Sequence, residues 1–312
     1  MTYMDKKIKI GITLALSTAV ISGVVNFLSK VSVTVLKDAT LFTFLKNSIV
    51  AVLLVGIILA FKKWPEIKAL NKKSWINLLL IGAIGGSLPF ILYFQGLTHT
   101  SALTAGFIHK TLFIWVAIFA VGFLKEKIGR LQIGALVLFL GGNLLLGGFQ
   151  NFHFGQGELM ILAATFLWAI ENIIAKKTLK NVSSLTVASA RMVFGAVILL
   201  VVVGFSGKLT LISNLSPVQW LWTLIPSVLL LGYILTWYSA LKILPASVVA
   251  CLLVPATFIT TVLSTIFLKN PLTSLNNLSG VLVVSAIVLL VASLRQTHLK
   301  KINVKSANES LA

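Results

Sequence analysis

Four charged side chains lie five or more residues inside long apolar runs of this 312-residue sequence: Lys46, Lys110, Glu171 and Arg191. A charge in a hydrocarbon environment costs about 2.5 to 3.5 kcal/mol on insertion scales, so these residues are functional candidates. Lys110 and Glu171 lie near the middle of their runs. They could form an ion pair, or they could face a polar cavity separately and bind the carboxylate and ammonium of a zwitterion. Glu171 is the one carboxylate near the middle of a run, so proton coupling would act mainly through it.

The other two charges lie closer to the ends of their runs. Lys46 and Arg191 are only five or six residues inside. Long cationic side chains at such positions can extend to a membrane surface, and we expect both to do so. Contacts that gate access to a cavity are the alternative interpretation.

Polar side chains recur at helical spacing within the same runs. Ser22 and Asn26 are four residues apart, as are Thr257 and Thr261, so each pair shares one helix face. Such faces either hydrogen-bond between packed helices or line a polar cavity. His109 is a packing residue or a proton relay. The candidate substrate-binding residues are Ser22, Asn26, His109, Lys110, Trp168, Glu171, Asn172, Thr257 and Thr261.

Glycine and proline interrupt several of the apolar runs. Gly85, Gly86, Pro89, Pro226 and Pro255 can bend a helix or free a backbone carbonyl. We therefore predict hinges at these five residues.

The elements that position these residues are membrane-spanning helices. The chain is 58% hydrophobic and 11% charged, with a mean hydropathy of +1.02, whereas a soluble domain has about 25% charged residues. About 20 apolar residues cross a bilayer, and the sequence contains ten such windows. They are Ile10 to Leu28, Leu41 to Phe61, Trp75 to Leu97, Ser101 to Leu124, Leu131 to Phe149, Gly157 to Ala175, Leu185 to Phe205, Val218 to Leu241, Ala246 to Leu268 and Leu278 to Leu294.

The net charge of +19 is explained by topology. The ten windows divide the remaining segments between the two sides of the membrane. Of the 26 Lys and Arg residues, 19 fall in segments on the same side as the amino terminus, and four fall in segments on the opposite side. Cytoplasmic loops carry such an excess, so both termini are predicted to be cytoplasmic. The basic segments predict contact with membrane lipid and give no support for nucleic-acid binding. The single cysteine, Cys251, precludes a disulfide within one chain.

A shift of about 144 to 146 residues aligns the second half of the chain with the first. Asn26 aligns with Asn172, Lys30 with Lys176, and Lys46 with Arg191. Because each half has five windows, the second half must begin on the opposite side of the membrane. We predict an all-α membrane protein of two inverted five-helix repeats, residues 1–150 and 151–312, an arrangement typical of secondary transporters.

Three stretches resemble the EamA-type carriers of the drug/metabolite transporter superfamily, from about Lys9 to Leu294. They are Leu92 to Ala102 with Phe123 to Ile128, Tyr238 to Ala246 with Val254 to Ala256, and Leu167 to Lys177. The chain departs from the family pattern at Lys46, at Lys110 with Thr111, at Glu171 and at Asn270. The resemblance implies a ten-helix carrier that exports amino acids, amines or related metabolites, often with proton or substrate exchange.

We therefore expect a secondary active transporter of the inner (cytoplasmic) membrane that exports amino acids or amines by alternating access. Broad drug or lipid-like efflux is the alternative, followed by a channel or membrane scaffold. No HExxH pattern, nucleotide-binding loop or paired carboxylate indicates an enzyme, a metal site or a cofactor. The expected partners are a small-molecule substrate, lipid and a coupling proton, with the chain a monomer or homodimer.

Overall fold

The described part of the chain is predominantly α-helical. The computed structural model describes residues 6–100, 102–146, 155–269 and 273–309, and no strand occurs in these ranges. The helices are, in chain order, α1 (Lys6–Leu36), α2 (Ala39–Ala60), α3 (Trp64–Lys68), α4 (Lys72–Gly86), α5 (Leu88–Leu97), α6 (Ala102–Lys110), α7 (Leu112–Leu124), α8 (Arg130–Leu145), α9 (Gln156–Thr178), α10 (Ser184–Phe205), α11 (Thr210–Ser213), α12 (Pro217–Ile243), α13 (Ala246–Leu252), α14 (Pro255–Leu268) and α15 (Ser274–Glu309).

Nine helical segments in the described ranges are long and apolar enough to cross a bilayer. Each overlaps one of the windows predicted from the sequence. Three of them are built from two helices in succession: α4 with α5, α6 with α7, and α13 with α14. The remaining window, Leu131 to Phe149, overlaps the shorter apolar helix α8, and its last residues lie outside the described part of the chain. The predicted boundary between the two halves, at residue 150, also lies outside the described part of the chain. So does Asn270, one of the positions at which the sequence departs from the family pattern.

Helix starts follow local capping rules. The Asp38 carboxylate accepts the Leu41 amide at the start of α2, and the Asn71 side chain accepts the Ser74 amide at the start of α4. Ser216 and Gln219 form a reciprocal capping box at the start of α12. Short polar segments between apolar runs therefore define where the spans begin.

Three helices, α1, α9 and α10, each pack against several others. α9 contacts α4, α5 and α7, while α10 contacts α2 and α4, and α1 contacts α12 and α14. α4 and α10 approach closely at Gly86 and Gly195, where a side chain on either glycine would collide with the backbone of the other helix. Small residues permit this kind of close approach between apolar helices.

Proline frees a backbone carbonyl at two positions. Pro89 has no N–H to donate to the Gly85 carbonyl four residues earlier, and the helix is interrupted at Ser87, between α4 and α5. Pro226 does not break α12, but the Trp222 carbonyl four residues before it instead accepts the Ser32 hydroxyl at 2.6 Å. Pro255 is the first residue of α14, directly after the interruption that follows α13. Of the prolines predicted as hinges, Pro89 and Pro255 thus lie at interruptions between helices, whereas Pro226 lies inside the continuous helix α12.

Candidate functional site

A polar cavity lies between α1, α2, α5, α9, α10 and α12. It has an inner part of about 260 Å³ and an outer part of about 670 Å³. The two share wall residues on α1, α2, α5 and α6, namely Ser22, Asn26, Lys46, Phe90, Tyr93 and His109 among others. The outer part extends to Lys30, Thr34 and Ala39, so the cavity widens toward the end of the bundle where α1 ends and α2 begins.

The deepest wall of the inner part is organised around Gly85. Its free carbonyl accepts the Arg191 guanidinium at 3.0 Å and the Trp168 indole N–H at 3.2 Å. The neighbouring Gly86 carbonyl accepts the Asn47 amide at 3.3 Å. The break made by Pro89 therefore supplies acceptors to three helices that surround the cavity.

Glu171 lies on α9 in this wall and is only 1% exposed. The Tyr238 hydroxyl on α12 donates to its carboxylate at 2.5 Å. Arg191 lies close enough to interact with the same carboxylate electrostatically. A methyl group at Gly85 would lie 2.6 Å from Glu171 Cγ and 3.1 Å from Arg191 Nε, so only glycine fits between them. The carboxylate is thus held by residues of three other helices.

The expectation that Lys46 and Arg191 extend to a membrane surface is wrong. Arg191 is 9% exposed and its guanidinium binds the Gly85 carbonyl inside the bundle. Lys46 lines both parts of the cavity, with its ammonium 4.9 Å from the centre of the Phe42 ring. Counting residues from a helix end gives a depth but does not give the face on which a side chain lies. Both cations face inward.

Lys110 and Glu171 line different parts of the cavity. Lys110 contributes to the outer part and Glu171 to the inner part. No ion pair joins these two side chains, both of which lie in the described part of the chain. Of the two arrangements left open by the sequence, the structure therefore has the one in which the two charges face the cavity separately.

Most of the remaining candidates also line the cavity, and the three prolines do not. Ser22 and Asn26 line both parts, Asn172 lines the inner part, and Thr257 and Thr261 line the outer part. Gly86 lines the inner part, whereas Pro89 and Pro255 lie beside it at the helix breaks. Pro226 is buried inside α12 and is not among the lining residues.

Aromatic rings cover much of the inner wall. The His109 ring packs edge-on against Trp168 at 4.6 Å and against Tyr93 at 5.7 Å. Tyr233 stacks on Trp237 at 6.1 Å with nearly parallel planes. His109 is therefore packed among aromatic rings, and its predicted relay role stays a prediction.

Four buried polar atoms on residues that line the cavity have no hydrogen-bond partner in the described part of the chain: Ser29 Oγ, His109 Nδ1, Asn172 Oδ1 and Arg191 Nε. Buried polar atoms in proteins are almost always satisfied by protein, water or ligand. Arg191 Nε, a donor, and Asn172 Oδ1, an acceptor, belong to residues that line the inner part.

The end of the bundle opposite the wide opening is closed by two side chains. The Lys176 ammonium donates to the carbonyls of Leu241 and Leu244, each at 2.6 Å. The Glu126 carboxylate accepts the amides of Ala246 at 2.7 Å and Ser247 at 3.2 Å at the start of α13. These contacts tie α9 to the end of α12, and the end of α7 to α13.

Sequence reasoning missed several of the residues that build the cavity. Asn47 and Tyr233 line the inner part, Tyr238 binds Glu171, and none of the three was a candidate. For Asn47 the available signal was its neighbour, because it follows Lys46. The contact from Tyr238 to Glu171 joins residues 67 positions apart, and no local pattern indicates it.

Comparison with known proteins gives consistent matches. The EamA-like transporter family matches the chain twice, over residues 9–148 and 155–292. An uncharacterized transporter of Bacillus subtilis (strain 168), YvbV, is 27% identical over 251 residues, which are 77% of this chain and 79% of that protein. Another from the same strain, YyaM, is 28% identical over 170 residues, which are 53% of this chain and 55% of that protein.

The uncharacterized inner membrane transporter YhbE of Escherichia coli (strain K12) is 32% identical over 142 residues, which are 44% of this chain and 43% of that protein. The chain thus spans about half the length of YyaM and less of YhbE. A crystal structure of another protein superposes with a TM-score of 0.77 at 15% identity, covering 92% of this chain and 98% of that chain. This likeness shows a shared fold.

Proposed function

Because the chain belongs to the EamA-like transporter family, we propose that it is a secondary active transporter that exports small metabolites by alternating access. It is a multi-pass membrane protein and a transporter rather than an enzyme, as its nine apolar helical segments in the described ranges and its family indicate. The inner membrane is the proposed location, which the name of YhbE supports.

The observation that carries the proposal is the polar cavity enclosed by apolar helices. It combines backbone carbonyls freed at a helix break, unpartnered polar atoms and buried charges in one place. Broken helices at a central binding site are typical of secondary transporters. Small-molecule sites have a few convergent polar groups in an otherwise apolar wall, and this cavity has that composition.

We propose two inverted five-helix halves, residues 1–150 and 151–312, with both termini cytoplasmic. The double family match supports the division. So do the interruptions after α6 and α13, which fall at positions related by the sequence shift. Lys125 and Lys269, also related by that shift, each end a helix in the left-handed conformation. With this orientation the wide opening faces outward and the Lys176 closure faces the cytoplasm.

The proposed site residues line the cavity or, as prolines, lie in the helices around it. The substrate-binding residues are Ser22, Asn26, His109, Lys110, Trp168, Glu171, Asn172, Thr257 and Thr261, with Lys46, Arg191, Gly86, Pro89, Pro226 and Pro255 as gating or hinge positions. Of the expected substrates, amino acids fit better than amines, because Lys46 and Arg191 can bind a carboxylate. A proton is the proposed coupling ion, and the chain acts as a monomer or homodimer.

Broad efflux of drugs or lipid-like molecules is the second candidate, which the aromatic inner wall favours. A channel would conduct without saturation. Counterflow into proteoliposomes, measured with a panel of labelled amino acids, amines, organic anions and apolar drugs, tests the proposal. Saturable exchange of one small class supports it. Exchange of many unrelated apolar compounds, or flux that rises linearly with concentration, would contradict it.

A further inference from the structure

The walls of the cavity carry more positive than negative charge. Four cationic side chains line its two parts, Lys30, Lys46, Lys110 and Arg191. Glu171 is the one acidic side chain among the described lining residues. The ammonium groups of Lys46 and Lys110 form no ion pair in the described part of the chain. An anion that entered the cavity would therefore meet cations that are not already neutralised.

Glu171 is poorly placed to bind a substrate cation. One of its oxygens accepts the Tyr238 hydroxyl at 2.5 Å, and the Arg191 guanidinium lies beside it across Gly85. A substrate ammonium would have to approach a carboxylate whose charge Arg191 already opposes. Like charges brought together at low dielectric repel strongly, so Arg191 disfavours a second cation here.

Lys46 is the best placed of the cations to bind a substrate anion. It lines both parts of the cavity, between the aromatic inner wall and the wide opening. Its ammonium lies over the Phe42 ring, 4.9 Å from the ring centre. A carboxylate that paired with Lys46 would compensate the cost of holding this cation away from water, and charge-assisted hydrogen bonds of this kind are the stronger ones.

The inner wall suits a flat apolar body. Phe90, Tyr93, Trp168, Tyr233 and Trp237 present aromatic surface to the space beyond Lys46. Arg191 Nε and Asn172 Oδ1 remain unpartnered at its far end, on side chains that are 9% and 4% exposed. A heteroaromatic ring with one polar edge atom would fill this space and partner one of them.

Building on the proposed function, we infer that the cavity selects small aromatic organic anions, with the carboxylate at Lys46 and the ring against Trp168 and Tyr93, over zwitterions and amines of the same shape. The selection follows from the charge of the walls and from the engagement of Glu171. A zwitterion gains the contact with Lys46 but leaves its ammonium without a free carboxylate. An amine gains neither.

Three compounds with the same indole body test this inference: indole-3-acetate, tryptophan and tryptamine carry one negative charge, balanced charges and one positive charge. Their affinities are measured by thermal shift of the purified protein and by counterflow in proteoliposomes. Indole-3-acetate should bind about tenfold or more tightly than tryptophan, and tryptamine the least. Lys46→Met should lower the affinity for indole-3-acetate about tenfold, Lys46→Arg should retain most of it, and Lys177→Met on the exposed side of α9 should change nothing.

Other outcomes overturn the inference. Equal or tighter binding of tryptophan or tryptamine contradicts it, as does an unchanged affinity in a folded Lys46→Met variant. Saturable exchange of tryptamine without exchange of indole-3-acetate would leave the proposed carrier function intact and reject the charge selection. Failure of all three compounds rejects the aromatic anion class, and the wider counterflow panel then decides separately whether the protein is a carrier.

Discussion

The hydroxyl of Tyr238 donates a 2.5 Å hydrogen bond to the carboxylate of Glu171. The two residues lie on α12 and α9, so the contact joins helices from both sides of the inner cavity. Together with Arg191 and the Gly85 carbonyl, it forms a buried polar cluster in an otherwise apolar bundle.

Removing the charges at either end of the cavity should impair transport. Glu171→Gln and Lys110→Met remove a charge without shortening the helix, and we expect each to lower the saturable flux about tenfold or more, a loss of about 1.4 kcal/mol. Flux in proteoliposomes is compared with membrane insertion and thermal stability. Normal flux in both variants would show that the cavity is not the binding site.

A side chain at Gly85 should disrupt the cluster. The methyl group of Gly85→Ala would lie 2.6 Å from Glu171 Cγ, and such overpacking costs about 1 to 3 kcal/mol. Gly56→Ala in α2 is the matched control, because nothing lies within 4 Å of its added methyl group. Thermal unfolding in detergent should give a lower midpoint for Gly85→Ala and an unchanged or higher one for the control. Equal midpoints would show that the wall can yield at Gly85.

The contacts of Lys176 should keep their end of the bundle closed. Lys176→Met leaves the Leu241 and Leu244 carbonyls without this donor, and a loss of about 1 to 2 kcal/mol would raise the open population about 5- to 30-fold. Cys251 in α13 is fully buried and is the single cysteine of the chain, so its labelling rate with a maleimide reports opening. We expect faster labelling in Lys176→Met and none of this effect in Lys177→Met. Identical rates would assign Lys176 no closing role.

The Asp38 contact outside the spans should make stability depend on pH. Burial raises the pKa of Asp38, but hydrogen bonds from the Leu41 amide and from Lys208, at 2.6 Å, lower it overall. A lowered pKa stabilises the fold fully above the unfolded value of about 3.9, and this stabilisation is lost as the pH falls through the folded value.

Asp38→Asn keeps a helix-capping side chain but removes the charge. We expect it to destabilise the protein by less than about 1 kcal/mol at pH 7 and by a smaller amount near pH 3. Unfolding midpoints at the two pH values measure the difference. A gap that stays constant with pH would rule out a contribution from the charge.

The sequence predicts the apolar windows well because hydropathy and length directly reflect the solvent that a helix meets. It also predicts the interruption near Gly86 and Pro89, since proline lacks the amide that the Gly85 carbonyl would accept. The side chains that replace that amide, Arg191 and Trp168, come from α10 and α9, and only the packed bundle brings them there.

The sequence identifies the charged residues that lie inside the apolar windows, but it does not predict the direction in which their side chains point. Arg191 was expected at a surface because it lies near the start of its window, yet its helix turns it toward Gly85. The orientation of a side chain depends on which neighbouring helix offers space, and glycine in α4 offers it here. The sequence likewise does not indicate that Tyr238 is a site residue, because its hydrogen-bond partner, Glu171, lies on another helix.

The most direct test of the account fills the cavity without changing its charge. Ser22→Trp places a large side chain on the face of α1 that lines both parts of the cavity, while Val20→Trp places the same side chain at a position of this helix that is 52% exposed. Saturable counterflow in proteoliposomes is measured for both variants and the wild type. The account predicts that Ser22→Trp abolishes exchange and that Val20→Trp retains it. Full exchange in a correctly folded Ser22→Trp variant would contradict the claim that substrate passes through this cavity.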